Sequence, residues 1–221
     1  LYADRITSNP VKFPGFRDAI EQALENGVTP CGVVTGLATF TGKENSENGS
    51  AKKQKTKKQK ATYRVGLVVS NVEFQAGAFD MASCEKVCRL LDDCARLKLP
   101  VIFFISSAGM QTKEGVGSLF SMSIINERIT RFVKDLDLPV LCFGFRDCTG
   151  GAQASFVTHL LARTYYLSGS QIPFAGQLVV ESHLPVHSTL SNYLSTNPGT
   201  MDGLVKNPFD TDIDEKLLEI D

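Results

Sequence analysis

Hydrophobic positions along the chain follow two rhythms, short apolar runs and stripes at helical spacing, and the two alternate. Phe16–Asn26 predicts a helix with Ile20, Ala23 and Leu24 on one face, ended by Gly27. Cys31–Thr41 alternates loosely and stops at Thr41-Gly42, as a strand running into a hairpin does. The strand pattern resumes over Thr62–Phe74, where Val65, Leu67 and Val69 alternate and Val68 and Val72 fill in. Gln75–Asp80, with Gly77 inside it, reads as a small-residue connection. Met81–Leu97 carries a stripe of Val87, Leu90, Leu91, Cys94 and Leu97, the spacing of a helix. Val101–Ile105 is a core strand, and Gly115–Leu136 a second long helix facing inward through Leu119, Met122, Ile125, Ile129, Phe132 and Val133. Val140–Phe145 follows a proline as a buried strand, Ala152–Ala162 reads as a buried helix, and a last strand is expected near Tyr165–Leu167. Beyond it come Ile172-Pro173-Phe174-Ala175-Gly176, a helix across His187–Leu194 and a glycine-rich turn at Thr200–Gly203. The repeated strand–helix alternation predicts an α/β domain with right-handed crossovers.

Two stretches share one pattern. Leu99–Gly115 and Leu138–Ala162 each lead from Leu-Pro through an apolar strand into a small-residue turn and then a helix. The turns are Ser107-Ala108-Gly109 and Thr149-Gly150-Gly151. Free backbone N–H groups and the positive end of the helix dipole converge at such a point. Glycine lets a ligand oxygen approach those amides, which suits an anion or an oxygen that becomes charged during a reaction. A single glycine pair is more often a packing turn than a site. Two such units side by side bring both turns to one edge of a parallel sheet, where ligands bind in open α/β folds.

Composition narrows the class without naming a reaction. The 221 residues suit one sizeable domain over 1–221, with a formal net charge of −1. That balance hides a segregation, since Lys52, Lys53, Lys55, Lys57, Lys58 and Lys60 offset an acidic remainder. They lie in Gly42–Ala61, a polar stretch without apolar period, read as a flexible insertion over residues 43–61. No aromatic is interleaved with the lysines, so a solvated loop is favoured over a nucleic-acid contact. No apolar run approaches a membrane span and no signal peptide opens the chain, whose start at Leu1 without methionine is expected of a fragment or a trimmed chain.

Candidate side-chain chemistry is sparse. None of the six cysteines forms a C-x-x-C pair, so no metal site is expected and buried free thiols in a reducing compartment are the better reading. Cys148, beside the second turn, is the one exception to weigh. His159 is expected to be a satisfied core or interface histidine. His183 and His187 flank Pro185 without a carboxylate at ligand spacing. Asp147 could orient the second turn, and Glu114 is expected to cap the helix that follows the first. No nucleophile elbow, P-loop or dinucleotide fingerprint appears. Amide turns without an evident base suit enolate or oxyanion chemistry whose base comes from a cofactor or a partner chain.

The order of motifs carries a resemblance over nearly the whole chain apart from the lysine-rich stretch. Ser107-Ala108-Gly109-Met110-Gln111-Thr112-Lys113-Glu114 lies on Ser-Gly-Gly-Ala-Arg-Met-Gln-Glu, and Thr149-Gly150-Gly151-Ala152-Gln153-Ala154-Ser155 on Thr/Met-Gly-Gly-Val-x-Ala-Ser. Phe174-Ala175-Gly176, with Val179 and Glu181, matches Phe-Ala-Gly-Pro-Arg-Val-Ile-Glu, and Gly203-Leu204-Val205 matches the close of Gly-x-x-Asp-x-Ile-Val. Tyr2-Ala3-Asp4-Arg5 and Val33-Val34-Thr35-Gly36 resemble the approach to that core. These motifs are those of the carboxyltransferase beta subunit of multi-subunit acetyl-CoA carboxylase, a crotonase-fold family, and the match runs without a gap through most of Phe74–Ala162.

The resemblance implies a crotonase-like ββα superhelix of one unit, stacked β-sheets flanked by helices. It implies transfer of a carboxyl group from carboxybiotin to acetyl-CoA, giving malonyl-CoA for fatty-acid synthesis. In that family the biotin ureido nitrogen takes the α-proton once it has released CO₂, so no protein base is required. By carry-over, Gly150 and Gly151 hold the thioester enolate oxygen, and Ala108 and Gly109 line the same pocket. Ser107, Gly77, Ala78, Phe174, Ala175 and Gly176 would contact substrate. The implied partners are a carboxyltransferase alpha subunit and a biotin carboxyl carrier protein, in a hetero-oligomer of two alpha and two beta chains, in the bacterial cytoplasm or plastid stroma. The family's N-terminal four-cysteine zinc ribbon is absent from this sequence, and zinc is expected only if one precedes it. The family's Arg in the first motif is Gln111, its Pro-Arg after Phe-Ala-Gly is Gln177-Leu178, and its glycine-rich loop becomes Ala78-Phe79-Asp80. Losing two arginines weakens contacts to CoA phosphates. Two alternatives therefore stand beside the first: a malonyl-thioester decarboxylase subunit, and a non-catalytic paralogue that scaffolds a carboxyltransferase complex.

Overall fold

The structure, a computed structural model, describes residues 1–43, 60–167, 170 and 172. Helix α1 spans Phe16–Glu25 and is followed by the antiparallel pair β1 (Val33–Lys43) and β2 (Lys60–Ser70). After a 3₁₀ turn at Gln75–Gly77 come α2 (Met81–Leu97) and β3 (Val101–Ser107). A second 3₁₀ turn at Thr112–Glu114 leads to α3 (Val116–Lys134) and β4 (Val140–Cys148). Helix α4 (Gly150–Ala152) widens into a π-helical turn over Gln153–Val157, and β5 (Arg163–Tyr166) closes the described chain.

Among the described residues there is one sheet, of five strands, and its spatial order is the chain order β1-β2-β3-β4-β5. The pairs from β2 to β5 are parallel. Crossovers that keep one hand and always step to the next strand leave their helices on one face, and α2 packs on α3, β1 and β2. On the helix-covered face the register aligns Val68, Phe103 and Cys142, and Val101 with Val140, all buried. Leu90, Leu91, Cys94, Ile125, Ile129 and Phe132 meet them from the helices. The opposite face carries the half-buried neighbours Val69, Phe104, Phe143 and Tyr165 in one register row. Ring centroids along it are 5.2 Å apart for Phe104–Phe143 and for Phe143–Tyr165.

Several boundaries depart from the sequence expectation. β1 and β2 pair through Gly42↔Ala61 and Lys43↔Lys60, so strand extends into the stretch expected to be an insertion; residues 44–59 lie outside the described residues. β2 ends at Ser70 rather than Phe74, because the Asn71 amide donates to the carbonyls of Thr29 and Cys31 at 2.8 and 3.1 Å and turns the chain. The helix expected over Ala152–Ala162 stops at Val157, where the Thr158 hydroxyl donates to Gln153 O at 2.8 Å and the Ser155 hydroxyl to Gly151 O at 2.5 Å, drawing carbonyls out of the α-helical ladder. Leu24, Leu97 and Leu119 were expected inward and are 52%, 49% and 48% exposed. Short α1 buries Phe16 and Ile20 against Phe74 with Ala19 and Ala23 beside them, in a small cluster separate from the main core, and the other two lie at the rims of their stripes. Phe174, Ala175, Gly176, Gln177, Leu178, His183, His187, the expected helix His187–Leu194 and the turn Thr200–Gly203 lie outside the described residues. No helix among the described residues is long and apolar enough to cross a membrane.

Truncating Leu90, fully buried on the inner face of α2, to alanine should cost about 2–5 kcal/mol in urea denaturation. The same change at Leu160, 81% exposed, should stay within about 0.5 kcal/mol.

Candidate functional site

The ends of β3 and β4 meet at Ser107↔Cys148, after a register shift between Ile105 and Ser107. There the Ser107 carbonyl accepts from Thr149 N at 2.9 Å and from the Thr149 hydroxyl at 3.2 Å. This fastens the two turns together. A Cβ placed on Gly109, whose φ is +104°, would stand 3.4 Å from Gly151 N and from Thr149 O and 3.5 Å from Gly150 Cα. One placed on Gly150, with φ +57°, would stand 3.5 Å from Gly109 Cα. The bends lie side by side at one edge of the sheet, close enough that a single added methyl would reach from one to the other, and the positive φ of Gly109 and Gly150 selects glycine.

Their amides differ in availability. Ala108 N donates to Ala76 O at 3.1 Å, and Gly109 N to the Ser107 hydroxyl at 3.1 Å. Neither is free to hold a ligand, so the first turn is a brace and not a donor. Gly150 and Gly151 are half-buried residues whose N–H groups meet no acceptor among the described residues. Thr149 occupies the N-cap of α4, where a threonine oxygen ordinarily accepts from the first amides. Here no cap bond forms, since its hydroxyl is turned to Ser107 O. Two adjacent donors at a helix start are thereby left uncapped. Met110 Cγ and Met122 Sδ stand 2.6 and 2.7 Å from where a Gly151 Cβ would lie, so two thioether side chains wall the second turn.

The remaining expected residues are placed around this pair. Ser107 is buried and bonds within its own turn, its hydroxyl donating to Gly109 O at 3.1 Å. Gly77 packs against β3, where a Cβ would stand 2.4 Å from Ser106 O. Gly77 and Ala78 are both buried and back the first turn from behind. Asp147 orients the turn only through its main chain, whose carbonyl accepts from the Ser106 hydroxyl at 3.2 Å; its side chain is exposed. Gln111, the position of the resembled family's arginine, is buried, and its Oε1 accepts from Lys113 N at 3.4 Å while Nε2 meets no partner among the described residues.

Titratable groups follow burial. Cys148 is buried, which pushes its thiol up to about 12, so it stays protonated at neutral pH and packs. His159 accepts from Leu161 N through Nδ1 at 3.1 Å and therefore donates from Nε2 to the Thr130 hydroxyl at 3.0 Å. Burial lowers its pKa, and it is a satisfied neutral ring. Glu114 does not cap α3. It is 1% exposed and accepts from Met81 N at 2.6 Å, at the start of α2, and from the Thr7 hydroxyl. Asp80 caps the same helix, accepting from Ser83 N at 2.6 Å and Gly32 N at 2.8 Å. Desolvation raises both carboxyl pKa values; Glu114 also feels the Asp80 charge. The availability of the second turn's amides rests on Thr149, whose place before Gly-Gly is the sequence signal for it; the Met110 and Met122 walls have no such signal.

No protein-family model matches the chain. Among solved structures it is similar to the transcarboxylase 12S core with hydrolyzed methylmalonyl-coenzyme A bound, at 19% identity over 54% of this chain and 23% of that one, TM-score 0.47. It is similar to a Pseudomonas malonate decarboxylase hetero-tetramer in complex with malonate at 18% identity, over 56% of this chain and 46% of that one, TM-score 0.49. To the beta subunit of P. aeruginosa geranyl-CoA carboxylase the values are 16%, 61%, 27% and 0.43. The chain spans less than half the length of each. Likenesses this partial assign it no activity.

Gly109→Ala should destabilise the fold by about 1–3 kcal/mol in chemical denaturation, since alanine must take φ +104° against the second turn. Gly15→Ala, at φ +70° in open space, isolates the backbone cost. Equal losses in the two variants would mean that the turns do not press on each other.

Proposed function

We propose that the chain is a carboxyltransferase subunit that adds a carboxyl group to acetyl-CoA, giving malonyl-CoA, with the enolate oxygen held by the amides of Gly150 and Gly151. One observation carries the reading: these adjacent N–H groups, on half-buried residues, are uncapped and lie against Gly109. The motif order adds support, because both turns fall where the resembled family has its Gly-Gly pairs.

The chemistry follows from where charge develops. As the acetyl Cα loses its proton, negative charge moves to the thioester oxygen, and the Gly150 and Gly151 N–H groups donate to it. Donors fixed in place beforehand need no reorganisation at that moment, and removing one typically costs about 10²–10³ in rate, about 3–4 kcal/mol. Carboxybiotin on a carrier protein supplies the carboxyl group and, once that has left, the ureido nitrogen that takes the α-proton. The chain's own part is to bind the thioester, orient its carbonyl and stabilise the enolate until Cα bonds to the carboxyl carbon. A partner alpha subunit brings the biotin side, as the resemblance implies. The assembly is a hetero-oligomer with a biotin carboxyl carrier protein, in the bacterial cytoplasm or plastid stroma.

The buried Gln111 favours a second reading. It leaves the first turn without the family's guanidinium, and a malonyl-thioester decarboxylase would form the same enolate by losing CO₂, with no proton to abstract.

Mixing the chain with the alpha subunit, acetyl-CoA and carboxybiotin separates these readings. Malonyl-CoA formation is the expected result. CO₂ release from a malonyl thioester without biotin supports the second reading, and assembly without turnover would leave a scaffold. Gly151→Pro removes one donor and should cut turnover at least about 10²-fold with CoA affinity largely kept. Gly151→Ala meets the same methionines but retains the N–H, and should lose far less. Full activity in the proline variant would remove the pair from the mechanism.

A further inference from the structure

The geometry points to Glu114 as the positioning residue of this site, the carboxyl group that keeps the first turn in place behind Gly150 and Gly151. The inference rests on the proposal that those two amides hold the substrate oxygen. Glu114 is among the largest fully buried side chains, and its two oxygens join three segments. Oε2 accepts from Met81 N at the head of α2, Oε1 accepts from the Thr7 hydroxyl of the N-terminal segment, and its own backbone closes the 3₁₀ turn.

From there the linkage runs to the site in a few bonds. Phe79 N donates to Gly109 O at 2.8 Å and Gln111 N to Phe79 O at 2.7 Å, so Gly109–Gln111 lies as a short parallel bridge on the approach to α2. Gly109 abuts Gly150 and Gly151, and Met110 walls Gly151. Glu114 holds the end of that bridge against the residue that begins α2. A change in its bonding moves the brace and, with it, the surroundings of both donors.

The charged groups around it make the carboxyl sensitive to protonation. Asp80 faces it from the same helix head, and beyond Asp80 lie Cys31 and Lys86, whose Nζ donates to Val33 O at 3.2 Å. Neighbouring Lys113 turns its Nζ away to Gln75 Oε1 at 2.6 Å and over the Phe16 ring. Among the described residues no lysine or arginine forms an ion pair with Glu114 or Asp80. An ionised Glu114 accepts from both Thr7 and Met81. A protonated one accepts from Met81 and donates to Thr7, which reverses one bond while keeping the other. Glutamine at this position can reproduce only the second arrangement.

The test needs no turnover. In the ¹⁵N-labelled full chain, the Gly150 and Gly151 amide resonances are followed from mildly acid to mildly alkaline pH. Both are expected to shift with one shared midpoint above the usual carboxylate range, and Glu114→Gln should flatten the curves. Asp80→Asn removes a like charge and should lower the midpoint. Thr7→Val removes a donor to the ionised form, should raise the midpoint, and serves if Glu114→Gln does not fold. Wild-type resonances that do not titrate, or that titrate unchanged in these variants, overturn the inference. Resonances that respond as expected in a chain without turnover keep Glu114 as the brace of the turn and sink the proposed activity instead.

Discussion

Two bends touch at glycine, and the rest of the molecule can be understood as what makes that contact hold. Gly109 lies against Gly150 and Gly151, close enough that a Cβ would just reach them, and its own φ of +104° selects glycine. Such a contact forms only if neighbouring parallel strands end at matched heights. The register shift after Ile105 and the double bond to Ser107 O bring the strand ends to that height. The strands are long enough to fix the register because both central ones are buried on the helix-covered face and half-buried on the other.

The polar interior serves the same end. Asp80 and Glu114 place buried carboxyls on amides at one helix start, which costs desolvation but satisfies the Met81 and Ser83 N–H groups. In the second turn the logic is inverted. Thr149 could have satisfied the amides of α4, and its hydroxyl is used to join the strands instead. The starts of α1 and α3 also lack a side-chain cap, so what sets α4 apart is the glycine turn of β3 lying against its first amides.

Much of this was legible in the chain. The spacing predicts α2 as Met81–Leu97, the range observed, because Asp80 caps its start and Lys98 ends it in the left-handed region. The strand–turn–helix repeat predicts that both turns share a sheet edge, which follows once successive parallel strands are neighbours. Periodicity could not show which amides a turn consumes. Ala108 and Gly109 look equivalent to Gly150 and Gly151 in sequence, yet their N–H groups end on Ala76 and Ser107, partners set by tertiary packing and by one side-chain rotamer. Glu114 shows the same limit. Its position suggests the cap of the next helix in the chain, and its side chain crosses to the previous one. Where a stripe is wide, as at Leu97 and Leu119, pattern alone does not tell its rim from its centre.

The central claim is that main-chain donors of the second turn, and not those of the first, receive the substrate oxygen. A crystal structure with a non-reactive acetyl-CoA analogue tests it most directly. The analogue's carbonyl oxygen should lie about 2.7–3.1 Å from the Gly150 and Gly151 nitrogens, with Ala108 N still on Ala76 O and Gly109 N still on the Ser107 hydroxyl. An oxygen bound elsewhere, or Gly150 and Gly151 amides closed onto protein acceptors beside a bound analogue, would contradict it.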